Sequence, residues 1–344
     1  MLVAWVWHAI RILSRIVPHR WLRRFAAGLA WMGFLAMPSQ RANIRRNLRV
    51  VLTGSSEPGT FEAERRIRTL ARRQMAGYGQ VMLDLITLPS IAGKVHADTK
   101  DTAGWHHLDR ALRAGRGIVF ATAHLGSWDA AGAAVASHCA PGTVFAVAEP
   151  FTDPRLEALV TGERAQYGLG VVPMTDVRRM VRTLRDGKVL GVLIDRPVTS
   201  GDGVTVSLFG RDTILPAGAA ALATLASTVI VPGFLLRRPD GGFEGEILPP
   251  IEPIRTGNRQ ADLAATMQLV VQSLEPAIRR NPHQWYMFRD MWPSPTQSLL
   301  PSGIGTGPRL LRKVLPAVQY GSVIAAAWYA SRLPIVRTAW RVLT

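Results

Sequence analysis

From about residue 104 onward the chain alternates between two periods. Short apolar runs, mostly rich in β-branched residues, read as strands: "GIVFATA" (117–123), "VFAVAEP" (144–150), "GVVPM" (170–174), "VLGVLID" (189–195) and "TVIVPGFLL" (228–236). Helical spacing fills the intervals at 128–138, 153–168, 176–187 and 216–226. Strands alternating with helices predict an α/β fold with a mostly parallel central sheet flanked by helices. "FEGEILPPIEP" alternates residue by residue and suits an edge strand, and 261–280 reads as a last helix before "NPHQWYMFRDMWPS".

The first third follows a helical period instead. Leu2, Trp5, Val6, Ile10, Leu13 and Ile16 share one side, with His8, Arg11 and Arg15 on the other. Such a helix either lies in a lipid headgroup region or packs on a core; the tryptophan beside arginines favours the interface. Arginines interrupt this segment and no small-residue cleavage site follows, which argues against a signal peptide. Its longest uncharged run, Phe25 to Gln40, is short for a bilayer span. "RANIRRNLRVVL" and "EAERRIRTLARRQMAGYGQVMLDLITLP" continue as basic amphipathic helices up to Pro89, separated by the polar turn "TGSSEPG". After Pro295 a Gly/Pro/Ser-rich linker leads to an uncharged stretch, Val314 to Ser331, with basic flanks. That stretch reaches the lower limit for a membrane span and equally suits an interfacial anchor. The expected organisation is N-terminal membrane-associating helices (1–75), an α/β domain (76–298), and a linker with an apolar extension (299–344).

Composition sharpens this picture. The 344 residues carry a formal net charge of +17, and lysine occurs only at 94, 100, 188 and 313, so arginine supplies the cations. This balance attracts polyanions. The chain is also 48% hydrophobic and has no basic–aromatic stretch of the nucleic-acid-binding kind, which favours an anionic membrane surface over nucleic acid. A single cysteine, Cys139, excludes an intrachain disulfide and a cysteine-based zinc site. No metal or bound cofactor is expected. P-loop, zinc-protease and dinucleotide motifs are absent.

Candidate chemistry begins at "ATAHLGSWDAAGAA", residues 121–134. On one helix His124 and Asp129 would point about 140° apart. They meet only if His124 ends a strand, "LGS" turns and Asp129 enters the first helical turn, with Ser127 as N-cap. Such an imidazole would sit at the carboxyl end of a parallel strand, oriented by the carboxylate and free to take a hydroxyl proton. Alone, a His-x4-Asp spacing also fits an ordinary strand-to-helix turn.

With its neighbours, this stretch resembles the bacterial lipid A late acyltransferase and phosphatidylinositol mannoside acyltransferase family. "VAEPFTDPRLEALVTGERAQYGLGVVPM" is similar to its second block, "GKVLGVLIDRPVTSGDGVTVSLFGRDTILPAGAAALATLASTVIVPGF" to its third, and "NPHQWYMFRDMW" to its closing P-x-Q-W signature. The four blocks, in order, cover roughly residues 75–295, and "WDAAGA" and "VAE" look closer to the mannoside branch. The resemblance implies a glycerolipid-acyltransferase-like fold and an acyl-CoA-dependent O-acyltransferase acting on a glycolipid, with acyl carrier protein as the alternative donor. It implies His124 as general base, Asp129 as its orienting partner and no acyl-enzyme. Glu149 and Arg164 would shape the substrate groove; Asp195 and Arg196, after "VLGVLI", would join it, Arg196 toward phosphate. The implied site is the inner face of a bacterial plasma membrane. One departure stands out: Thr205 occupies the "GVTV" position where the mannoside branch tends to be acidic, which places the orienting role on Asp129. A thioesterase and a non-catalytic lipid-binding protein are the rival functions.

Overall fold

The computed structural model describes residues 2–151, 153–198 and 203–293. Four helices come first: α1 (Leu2–Ile16), α2 (His19–Leu35), α3 (Pro38–Thr53) and the long α4 (Phe61–Thr99). The α/β part then runs α5 (Trp105–Arg113), β1 (Ile118–Thr122), α6 (Trp128–His138), β2 (Val144–Ala148), α7 (Pro154–Gln166), β3 (Gly170–Pro173), α8 (Val177–Arg185) and β4 (Val189–Leu193). A hairpin of β5 (Gly203–Leu208) and β6 (Arg211–Pro216) follows. Then come α9 (Gly218–Ala226), β7 (Val229–Arg237), β8 (Phe243–Ile247) and α10 (Arg259–Arg280).

The main sheet has six strands in the order β3-β2-β4-β1-β7-β8, parallel throughout except for the antiparallel edge strand β8. All five residues of β1, the IVFAT of the first apolar run, are buried, as a strand covered on both faces requires. Its alternation sorts the core. Val119 and Ala121 pack with α8, α9 and α10, while Ile118 and Phe120 pack with α5 and α6. The β5–β6 hairpin turns at Phe209 and Gly210, both at positive φ, as a two-residue hairpin turn of the right twist demands. Its pattern, "VTVSL", alternates as an edge hairpin does and is not among the apolar strand runs of the sequence.

Two boundaries differ from the sequence expectation. α4 continues through Pro89 to Thr99, and the expected division at residue 75 falls inside this one helix. Proline removes one backbone donor, but Leu88 and Val95 on either side are buried against α6 and β8, and that packing carries the helix across the missing bond. The apolar stretch 314–331 lies outside the described residues. No helix among the described residues is long and apolar enough to cross a membrane.

α1 packs on the core, while α2 leaves a face uncovered. Trp7 is buried; its indole donates to Glu163 of α7 at 3.0 Å and it packs beside Leu85, Ile86 and Leu156. The opposite side of the pair stays uncovered: Ile16, Trp21, Phe25 and Met32 are more than half exposed. Trp21, Phe25, Leu29 and Met32 recur at helical spacing and form one stripe on α2. Arg24 lies over Trp21 at one end of this exposed stripe.

Candidate functional site

The site is assembled by strand register. β1 and β4 are parallel neighbours, with Thr122 opposite Leu193. Two residues beyond each partner stand His124 and Asp195, so two strand ends 71 residues apart deliver a histidine and an aspartate side by side. His124 Nδ1 lies 2.7 Å from Asp195 Oδ1, and the His124 backbone N–H donates to Oδ2 at 2.9 Å. A carboxylate only accepts, so Nδ1 carries the proton and donates it. Nε2 has no hydrogen-bond partner among the described residues, and the ring borders an open groove of about 210 Å³. Burial on its own would raise the Asp195 carboxyl. The His124 charge and the hydrogen bonds from His124 and Trp285 outweigh it and hold Asp195 below its ordinary value. An ionised carboxylate behind a ring whose other nitrogen is open is an arrangement that can accept a proton.

The closing segment explains why the loop holds this shape. Trp285 Nε1 donates to Asp195 Oδ2 at 2.8 Å. Tyr286 N–H donates to the His124 carbonyl at 2.7 Å and Gly126 N–H to the Gln284 carbonyl at 2.8 Å. The Gln284 side chain clasps the Arg237 backbone in both directions. "PHQWY" is therefore a strap laid across the His124 loop. Gly126 sits at φ +64, and a Cβ there would fall 2.0 Å from the Leu235 carbonyl oxygen, so only glycine permits the turn.

Asp129 is placed differently from the expectation. Its Oδ1 accepts from Arg164 Nε at 2.8 Å, and Oδ2 is buried without a partner among the described residues. The expected His124–Asp129 pairing is thus corrected: Asp195 holds Nδ1, because register puts it there, while the first turn of α6 turns Asp129 toward α7. Burial disfavours the Arg164 cation, but Asp129 outweighs that and raises its pKa, so the pair is a fixed ionic anchor. Asp195 was expected to face substrate; it is instead buried behind the ring, 3% exposed. Thr205 points outward from the hairpin, and the carboxylate that seemed missing there is supplied by Asp195.

Glu149 and Arg196 pair across the groove, one following β2 and the other β4. Arg164 also lines it, as do Tyr78, Trp128 and Phe288. Trp128 stands edge-on to His124, ring centroids 5.3 Å apart. A second, apolar cavity of about 60 Å³ runs under the sheet among Phe120, Val135, Val144 and Leu169. Trp128, Val147, Arg164 and Leu193 belong to both cavities, so the two adjoin. Trp285 and Trp128 had no assigned role in the sequence, although both stood inside the quoted blocks.

A parallel sheet with a His–carboxylate pair at its carboxyl ends, an open polar groove beside it and an apolar cavity beneath defines an acyltransferase-type α/β protein. The chain belongs to the bacterial lipid A biosynthesis acyltransferase family, which matches residues 1–294. It is 28% identical over 296 residues to a phosphatidylinositol mannoside acyltransferase of Mycobacterium tuberculosis, covering 83% of this chain and 86% of the relative. The namesake protein of Mycolicibacterium smegmatis is 27% identical over 273 residues, 78% of this chain and 84% of the other. A lipid A biosynthesis lauroyltransferase of Escherichia coli is 24% identical over 248 residues, 71% and 78% of the two chains. The likeness falls on the mannoside branch.

Proposed function

We propose that this acyltransferase moves a fatty acyl chain from acyl-CoA to a sugar hydroxyl of a phosphatidylinositol mannoside. The observation that carries this reading is the open Nε2 of a ring whose Nδ1–H is held by Asp195 at 2.7 Å. His124 Nε2 takes the hydroxyl proton as the sugar oxygen attacks the thioester carbonyl. The tetrahedral intermediate collapses, the carbon–sulfur bond breaks, and the imidazolium returns its proton to the departing thiolate. An ester and free coenzyme A result, with no acyl-enzyme and no cofactor.

The surroundings suit that chemistry. Ser127 precedes α6 without capping it, so the helix start beside His124 offers uncapped N–H groups and a positive dipole to the developing oxyanion. The apolar cavity below accepts the start of an alkyl chain, and Glu149, Arg164 and Arg196 face the polar acceptor. The uncovered stripe on α2 and the net charge of +17 seat the enzyme on an anionic bilayer, which we assign to the cytoplasmic face of the plasma membrane.

The test is incubation with labelled palmitoyl-CoA and a mannosylated phosphatidylinositol. Label in the glycolipid is the expected result. Release of free fatty acid alone would establish a hydrolase, and acyl binding without turnover a lipid-binding protein. Either would overturn the proposal. Replacing palmitoyl-CoA by labelled palmitoyl-acyl carrier protein in the same assay separates the mannoside-type from the lipid A-type donor.

A further inference from the structure

Beneath the His124 loop lies a second set of charges that the proton transfer does not use. Asp84 of α4 is 1% exposed, and its Oδ2 accepts from Arg237 Nη2 and from Ser127 Oγ, the latter at 3.3 Å. An N-cap serine ordinarily spends its hydroxyl on its own helix. Ser127 makes no such bond and turns to Asp84 instead. Its backbone N–H donates to Leu235 at 2.8 Å, two residues before Arg237, so both ends of Ser127 are tied to the same corner.

The corner extends outward. Arg237 Nη1 donates to the Gly241 carbonyl at 2.9 Å, and Arg23 Nη1 of α2 donates to that same oxygen at 3.1 Å. Gly241 stands at φ +86, and a Cβ there would lie 2.1 Å from the Arg23 guanidinium. Close approach of the α2 arginine therefore needs a glycine at this turn. Burial, Arg23 and Arg237 all lower the pKa of the neighbouring His19, so it adds no third cation at neutral pH. A buried ion pair is a costly way to stabilise a fold and an effective way to fix a geometry.

We infer that Asp84 and Arg237 are positioning residues for the His124 loop, and that Arg23 ties this corner to α2, the helix with the uncovered Trp21–Phe25–Met32 stripe. The chain Arg23–Gly241–Arg237–Asp84–Ser127 links a lipid-facing helix to the loop that carries the base. The inference rests on His124 being that base.

The experiment uses the full chain, palmitoyl-CoA and mannosylated acceptor, with and without phosphatidylglycerol vesicles, and follows the His124 ring by nitrogen NMR. Asp84→Asn is expected to lower kcat about tenfold or more, since small misplacements of reacting groups are costly, with KM for palmitoyl-CoA within about twofold. Arg237→Lys, which keeps the charge, is expected to retain more kcat than Arg237→Gln. Arg23→Gln is expected to keep turnover without vesicles and to lose its stimulation by them. A folded Asp84→Asn protein with unchanged kcat and unchanged His124 resonances overturns the inference. If Asp84→Asn does not fold, Ser127→Ala and Arg23→Gln decide, and wild-type behaviour of both overturns it. If the wild-type protein transfers no label at all, the proposed activity fails, and the His124 resonances of the variants still judge the positioning.

Discussion

Asp195 and Asp129 are both 3% exposed, both stand just beyond the sheet's carboxyl edge, and each holds one cationic or potentially cationic partner. They nevertheless do different things. Asp195 faces an imidazole, a group that takes up and releases protons in acid–base chemistry. Asp129 faces a guanidinium, which does not. A carboxylate's chemistry is set by what it touches, and here the touching is decided by strand register in one case and by a helical turn in the other. One region holds an imidazole whose second nitrogen opens on the groove; the other holds α6 against α7 along the groove wall.

Substitutions that separate the two regions test the contrast. The largest effect is expected for His124→Ala: loss of acyl transfer by about 10²–10⁴-fold, the usual worth of a general base, with the circular dichroism spectrum retained. Asp195→Asn comes next. An amide can donate to Nδ1 and so favours the tautomer with its proton on Nε2; a loss of similar order, roughly 10²–10⁴-fold, is expected in kcat, with little change in KM. Activity of Asp195→Asn equal to wild type would erase the distinction drawn here.

Asp129→Asn is expected to act on stability rather than chemistry. It leaves the Arg164 cation buried without its counter-charge, a loss of about 3–5 kcal/mol by denaturant unfolding. In the fraction that remains folded, kcat is expected to stay within about tenfold, because no reacting atom has lost its partner. Trp285→Phe removes one hydrogen bond to a charged group and is expected to cost roughly 1.5–3 kcal/mol in stability, with a smaller fall in kcat than Asp195→Asn.

The smallest expected effect is a pH signature. Asp195 is held below its ordinary 3.8, so its contribution to stability is complete above that value and disappears as pH falls through the lower native one. Asp195→Asn should therefore flatten the acid limb of the stability curve, measured by urea unfolding from about pH 6 to about pH 3. An unchanged acid limb would show that the carboxylate is not held by its neighbours.

Much of this was legible along the chain, for local reasons. Apolar runs of strand length between helical spacings announced a parallel sheet, because strands covered on both faces cannot alternate. The match to family blocks singled out His124 and the closing segment separately; that the two meet came only from the structure. The uncovered stripe on α2 is not among those readings, since apolar spacing cannot distinguish an exposed face from one that packs on α7. Trp7 is buried against α7, whereas Phe25 on the neighbouring helix is exposed.

The sequence by itself determined which residues could do chemistry, and where along the chain strands would end. It offered Asp129 for His124 because a strand-to-helix turn allows the two to meet and the family resemblance implies that pairing. Only the tertiary structure decided on Asp195, because strands side by side bring distant strand ends within hydrogen-bonding reach at matching register, while the turn into α6 carries the nearer carboxylate away. The buried corner of Asp84, Arg237 and Arg23 belongs to the same lesson: α4, β7 and α2 contribute one charge each, and no local pattern links them.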